Sequence, residues 1–308
     1  MRWLVVAGPT ASGKSALALA LAERFGGEIV NADSRQVYRY MDIGTAKPSL
    51  EDRRRVPHHL FDVADPDERF DAARYRDLAR PVVAEIASRG RLPIVVGGTG
   101  LYLRALSRGL FAAPRAVAAL RAALALLEEH SPGTLARWNR RLDPSLFARV
   151  HPNDRVRLLR ALEVTLTTGE PMSAQQRQHG FGDRLGELLY LVVDPGAQPL
   201  KERIRSRSVE LFARGLLEEV RSLWARGYGP DLPAMKSIGY REAGRVLGGE
   251  CSEEEALEDL VRSTERFAKR QRTWFRAEPE AAWYDPQQGL ERIADAVQRF
   301  LAARAAAL

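Results

Sequence analysis

Residues 8–15 read GPTASGKS, set between the apolar run WLVVA at 3–7 and the stretch ALALALAERF at 16–25, which stops at Gly26-Gly27. A short apolar run, a loop bounded by glycine and proline, and a strong helix former predict strand, loop, helix in that order. The eight residues satisfy G-x-x-x-x-G-K-[ST], whose backbone N–H groups and following helix N-terminus form an anion nest. Gly8, Thr10, Ala11, Ser12 and Gly13 supply the loop, Lys14 a point charge and Ser15 a hydroxyl for Mg²⁺. Such a loop serves kinases, NTPases and transferases with a phosphate leaving group alike. The reaction has to be read from the residues brought up beside it.

Outward from this loop, EIVNADS (28–34), RLPIVVGGTG (91–100) and LLYLVVDP (188–195) read as further buried strands, with a helical stretch at 71–89. Strands alternating with helices predict the α/β class: a P-loop NTPase-like parallel sheet flanked by helices, with ligands at the carboxyl ends of its strands. Residues 115–186 break the rhythm. They are helical and arginine-rich, with Arg115, Arg121, Arg137, Arg140 and Arg141 among them, and their basic residues outnumber the acidic ones by four. This segment is expected to be a helical, arginine-rich insertion domain, dividing an α/β domain at 1–114 and 187–308. Residues 199–275 read as helical again, and the tail from 290 as a closing helix.

The chain has 308 residues, 45% hydrophobic, and a net charge of +7 that points toward a polyanionic partner. No apolar run approaches a bilayer span, so no membrane association is expected. The first residues enter a strand, so no secretory leader is expected, and the single cysteine, Cys251, allows no internal disulfide. These features together predict a cytoplasmic location, and a monomer is the expected state.

Asp33 ends the second strand and should lie beside the P-loop. A carboxylate there can hold Mg²⁺, act as general base, or cap a turn, and residue type alone leaves the three open. After it, SRQVYRYMDIGTAKP (34–48) is rich in Arg35, Gln36, Tyr38, Arg39, Tyr40 and Lys47, side chains suited to phosphates and bases and not expected in a core. In GGTGLYL (97–103) Thr99 offers a hydroxyl at the end of the third strand. His58 and His59 are read as fold-stabilising, since adjacent histidines point apart and have no spaced partner. Trp224, Trp274 and Trp283 are read as packing between the C-terminal helices.

With these stretches in place the chain resembles the tRNA dimethylallyltransferases, the tRNA isopentenyltransferase family, of bacterial type. The resemblance is carried by GPTASGKS (8–15), NADSRQVYRYMDIGTAKP (31–48), VPHHLFDVADP (56–66), IVVGGTGLYLRAL (94–106), HPNDRVRLLRALEV (151–164), the R-I-x-x-R…G-L-x-x-E-V pattern at 203–220, KSIGYRE (236–242) and RQRTWFR (270–276). It implies that the P-loop holds the pyrophosphate of dimethylallyl diphosphate, and that the prenyl group goes to N6 of adenosine 37 in tRNAs reading codons that start with U. It further implies Asp33 as general base, Thr99 as the orienting hydroxyl, and Thr10, Lys14, Arg207 and Ser15 with Mg²⁺ as the pyrophosphate cradle. By the same resemblance Asp33, Ser34, Arg35 and Gln36 hold the extruded adenosine and its neighbours, while Arg157, Arg160, Lys236, Tyr240 and Arg241 lie at the RNA surface. Val156 departs from the family pattern, which usually has glutamine there. Two other readings share the P-loop: a small-molecule or nucleotide kinase, and a non-catalytic RNA-binding module.

Overall fold

The computed structural model describes residues 1–114, 117–180 and 182–303; Arg115 and the end of the expected closing helix, residues 304–308, lie outside the described residues. Strands β1 (Arg2–Ala7), β2 (Gly27–Asn31), β3 (His58–His59), β4 (Leu92–Gly97), β5 (Glu187–Val193) and β6 (Ala281–Tyr284) form one sheet in the order β3-β2-β4-β1-β5-β6. Every pairing is parallel. The central strands are buried along nearly their whole length, which is why they read as continuous Val, Ile and Leu runs without alternation.

Helix α1 (Lys14–Phe25) follows β1 through the P-loop and packs Ala18, Leu21 and Ala22 against Leu4, Val6, Ile29 and Ile94 of the sheet. The same core contains Ile293 and Val297 of the closing helix Leu290–Ala302. Helix α2 is Leu50–Arg55, and α3 (Ala72–Ser88) starts where Asp71 accepts from the N–H groups of Ala73 and Arg74. Helix α4 (Gly100–Arg108) follows β4, and its Tyr102 stacks on Tyr75 of α3 with ring centroids 4.4 Å apart. The expected parallel α/β sheet is present. The short edge strands β3 and β6 were not legible, having two and four residues. Trp283 lies on β6 and is 38% exposed, which corrects its reading as a residue packed between helices.

By its contacts the chain divides into two compact units, residues 1–107 with 185–308 and residues 108–184. The smaller unit holds α5 (Ala118–His130), α6 (Thr134–Leu142), α7 (Pro144–Phe147), α8 (Arg155–Thr168) and α9 (Met172–His179) around Leu124, Leu135, Leu158 and Leu162. Its buried acids serve the backbone and the arginines. Glu128 accepts from the N–H groups of Gly133 and Leu135 at the start of α6, both at 2.9 Å. Glu163 accepts from Arg121 at 2.9 Å and Arg160 at 2.8 Å.

In the larger unit, α10 (Ala197–Ala213) and α11 (Leu216–Ala225) are separated by Gly215, whose φ of 95° ends the run that read as one helical stretch. Then come α12 (Tyr240–Leu247) and α13 (Glu253–Arg276), the latter opened by a capping box between Ser252 and Glu255. No helix among the described residues is long and apolar enough to cross a membrane. The chain leaves β1 toward β2 and β4 toward β5, in opposite directions along the sheet. A crevice therefore opens beyond the carboxyl ends of these strands, where ligands of such sheets bind.

Candidate active site

The P-loop turns through positive φ at Ala11 (62°) and Gly13 (92°) and delivers the chain into α1 without a side-chain cap. The first N–H groups of α1 are thereby left for an anion, and the helix dipole favours one there. Gly8 stands where a Cβ would come within 2.4 Å of the Val193 carbonyl, so the loop can only hug β5 with glycine at this position. Ser12 is fully buried and its N–H donates to the Pro9 carbonyl at 3.2 Å. Ser12 thus also helps frame the loop.

Lys14 donates to the Pro9 carbonyl at 3.2 Å. Loss of hydration pulls its pKa from 10.5 down to about 8, with Asp33 opposing that shift and Arg207 adding to it. Arg207, on α10, is likewise lowered by burial and supported by Asp33. Two desolvated cations with one nearby carboxylate leave a net positive pocket, the electrostatic form of an anion site. Arg203 and Arg214 lie close by in sequence, and both line a cavity of about 670 Å³ together with Gly13, Lys14, Ser15 and Arg207. Sequence reading missed these two, although their spacing around Arg207, four before and seven after, places all three on one helical face.

Asp33 sits just past β2. Its Oδ1 accepts from the Arg35 N–H at 2.8 Å, and its own N–H donates to Asn31 Oδ1 at 2.9 Å. Two cavities meet here. One, of about 610 Å³, is lined by Lys14, Ser15, Asp33 and Arg207; the other, of about 290 Å³, by Asp33, Ser34, Arg35, Arg207, Lys236 and Arg270. Thr10, Asp33, Thr45 and Arg207 belong to both. Thr99 does not line either cavity; its Oγ1 accepts from the Ser34 N–H at 3.0 Å and its N–H donates to the Ala32 carbonyl at 3.2 Å. It holds the segment that carries Asp33.

The sequence and the fold match known proteins. The IPP transferase family model covers residues 36–278. A tRNA dimethylallyltransferase of Geobacter sulfurreducens is 50% identical over 299 residues, 96% of this chain and 96% of its own. Another, of Desulfosudis oleivorans, is 48% identical over 304 residues, 97% of this chain and 96% of its own. This chain belongs to the tRNA dimethylallyltransferase family. Its fold also superposes on a solved eukaryotic dimethylallyltransferase acting on tRNA, with a TM-score of 0.84, 26% identity, and coverage of 98% of this chain and 80% of that one. Since these relatives are named as transferases, the kinase and the non-catalytic RNA-binding readings are dropped.

Within this dimethylallyltransferase fold, several residues expected to meet tRNA are committed elsewhere. Tyr240 is 1% exposed, lines the smaller cavity and donates its hydroxyl to Glu219 at 2.5 Å. Glu219 also accepts from the N–H groups of Asp42, Ile43 and Gly44, and Tyr240 thereby helps fix that turn. Gln36 donates to the carbonyls of Thr45 and Ala46 at 3.0 and 3.1 Å, a hold on its own loop. Arg160 is half-buried on Glu163 and the Pro114 carbonyl, which corrects its reading as a surface contact. Arg241 pairs with Glu242 and Arg157 with Asp154, and both, like Lys236, are exposed. Lys47 and Tyr38, read as ligand-facing, are buried, and the Lys47 ammonium sits 2.6 Å from both Asp42 and Asp62.

Proposed function

We propose that this dimethylallyltransferase moves the prenyl group of dimethylallyl diphosphate to N6 of adenosine 37 in tRNAs that read codons starting with U, releasing pyrophosphate. The observation that carries the reading is the position of Asp33 and Arg207 on the walls of both cavities, where a base entering from one side meets a diphosphate held in the other. The diphosphate lies over the start of α1, against Lys14 and Arg207. An adenine must leave the anticodon-loop stack to reach Asp33, at an unstacking cost of a few kcal/mol.

The amine lone pair forms a bond to the terminal allylic carbon as the carbon–oxygen bond breaks and its electron pair departs on pyrophosphate. The N6 proton passes to the Asp33 carboxylate, whose Oδ1 is already held by Arg35 N–H, leaving Oδ2 to take it. Lys14, Arg207 and the helix N-terminus stabilise the charge that grows on the leaving oxygens. Thr99 positions Asp33 through Ser34.

For Mg²⁺, the donor set is Ser15 on the wall of the diphosphate cavity, and no cluster of three or more His, Cys, Asp or Glu is found among the described residues. One hydroxyl plus substrate oxygens suits Mg²⁺, which keeps waters and borrows phosphate ligands. When bound it would neutralise the pyrophosphate. The arginine-rich smaller unit, with exposed Arg157 on α8, supplies phosphate contacts to the tRNA stem-loop. A tRNA substrate supports a cytoplasmic setting.

The test is incubation of the protein and Mg²⁺ with radiolabelled dimethylallyl diphosphate and an anticodon stem-loop, without ATP. Label on the first adenosine 3′ of the anticodon, lost when that base is changed, is the expected result. Folded protein and intact RNA with no label transferred would overturn the reading.

A further inference from the structure

One side chain outside the cavities joins the two halves of the site. Gln271, on α13, is 5% exposed. Its Oε1 accepts from the Thr10 N–H at 2.9 Å, and its Nε2 donates to the Gly98 carbonyl at 2.9 Å. Thr10 belongs to the P-loop; Gly98 immediately precedes Thr99, whose hydroxyl holds Ser34 beside Asp33. A single amide therefore spans from the diphosphate loop to the loop that positions the base.

The surroundings are shaped to admit it. A Cβ at Gly98 would lie 2.1 Å from Gln271 Nε2, and one at Gly100 would lie 2.0 Å from Trp274 Nε1, so Gly98 and Gly100 make room for this face of α13. On the next residue, Arg272 donates to Asp194 at 2.7 Å, tying the loop after β5 to the same turn of helix. The end of α13 thus grips the loops that follow β1, β4 and β5.

We propose that Gln271 is a positioning residue for prenyl transfer, setting the separation between the diphosphate cradle and the Thr99–Ser34–Asp33 segment. The inference rests on the function proposed above. The amide is chemically specific to this role, because it must accept on one side and donate on the other. A neutral carboxylic acid can do both, whereas a carboxylate can only accept and would set its oxygen against the Gly98 carbonyl. Leucine does neither. A displacement of about 1 Å between reacting groups costs on the order of 10²-fold in rate.

The experiment compares Gln271→Glu and Gln271→Leu with the unaltered enzyme in single-turnover prenyl transfer at saturating dimethylallyl diphosphate, from about pH 5.5 to about 9. Each variant is followed as a rate ratio to the unaltered enzyme at each pH. For Gln271→Glu that ratio should be near one where the acid is protonated and fall about 10²-fold as it ionises, while the ratio for Gln271→Leu stays low and flat. Full activity in Gln271→Leu, or a Gln271→Glu ratio that rises with pH, would overturn the proposal. Inactivity of the unaltered enzyme would instead count against the proposed function.

Discussion

Two lysines at the same end of the sheet, Lys47 buried and Lys14 half-buried on a cavity wall, have opposite company. Lys47 donates to Asp42, Asp62 and the Tyr38 carbonyl, each at 2.6 Å, so its charge and its hydrogens are fully satisfied. Lys14 has one carbonyl and a more distant Asp33, and its proton is held weakly enough for its pKa to fall to about 8. The first cation fixes the loop that runs from Tyr38 to Asp62; the second waits for an anion. Burial of a lysine therefore says nothing of its role until its counter-charges are counted.

The largest effect should come from removing the carboxylate that faces Lys14. Asp33→Ala is expected to lower the single-turnover rate by about 10²–10⁴-fold, as for loss of a general base, with the RNA dissociation constant nearly unchanged. Weakened RNA binding with an intact chemical step would reassign Asp33 to recognition. At Lys47 the loss should appear in stability. Lys47→Met takes a partner from Asp42 and leaves Asp62 with Arg53 alone, and urea unfolding should show a loss of about 2–3 kcal/mol, below the roughly 3–5 of a fully buried pair because Asp42 is 61% and Asp62 35% exposed. Unchanged stability would erase the contrast between the two lysines.

A smaller effect is written into Lys14 itself. The unfolded chain keeps this proton up to its ordinary value of 10.5, while the empty folded protein releases it above about 8. Between those values the folded state binds fewer protons, so the stability penalty of the buried charge is full below about pH 8 and fades as pH rises toward 10.5. Pyrophosphate restores the charge, so its affinity should weaken above about pH 8, by at most about tenfold per pH unit. Titration calorimetry should find this slope absent in Lys14→Arg, whose charge does not titrate there. The smallest effect belongs to Tyr240→Phe, which removes one hydrogen bond to Glu219 and should cost about 1 kcal/mol of stability without altering RNA affinity. A loss of RNA affinity would return Tyr240 to the interface.

What the chain order carries locally was legible in advance. The P-loop needs only consecutive residues between a strand and a helix, and Asp33 needs only to end the next strand, so the phosphate loop and the place of Asp33 could be read directly from residues 3–34. The α/β class also needed the strands at 91–100 and 188–195, and the base role came from the family resemblance. The acidic partner of Arg160 lies three residues on along α8 and is within reach of helical spacing, but Asp62, the partner of Lys47, was as free on paper as any surface acid. Gln271 was no more legible, since its two partners lie 261 and 173 residues away and announce themselves in no spacing. The sequence by itself determined the parallel sheet, the anion nest and the family. Only the tertiary structure decided which polar residues face the cavities and which hold loops in place, because a hydrogen bond or ion pair across the fold depends on what packing brings within about 3 Å.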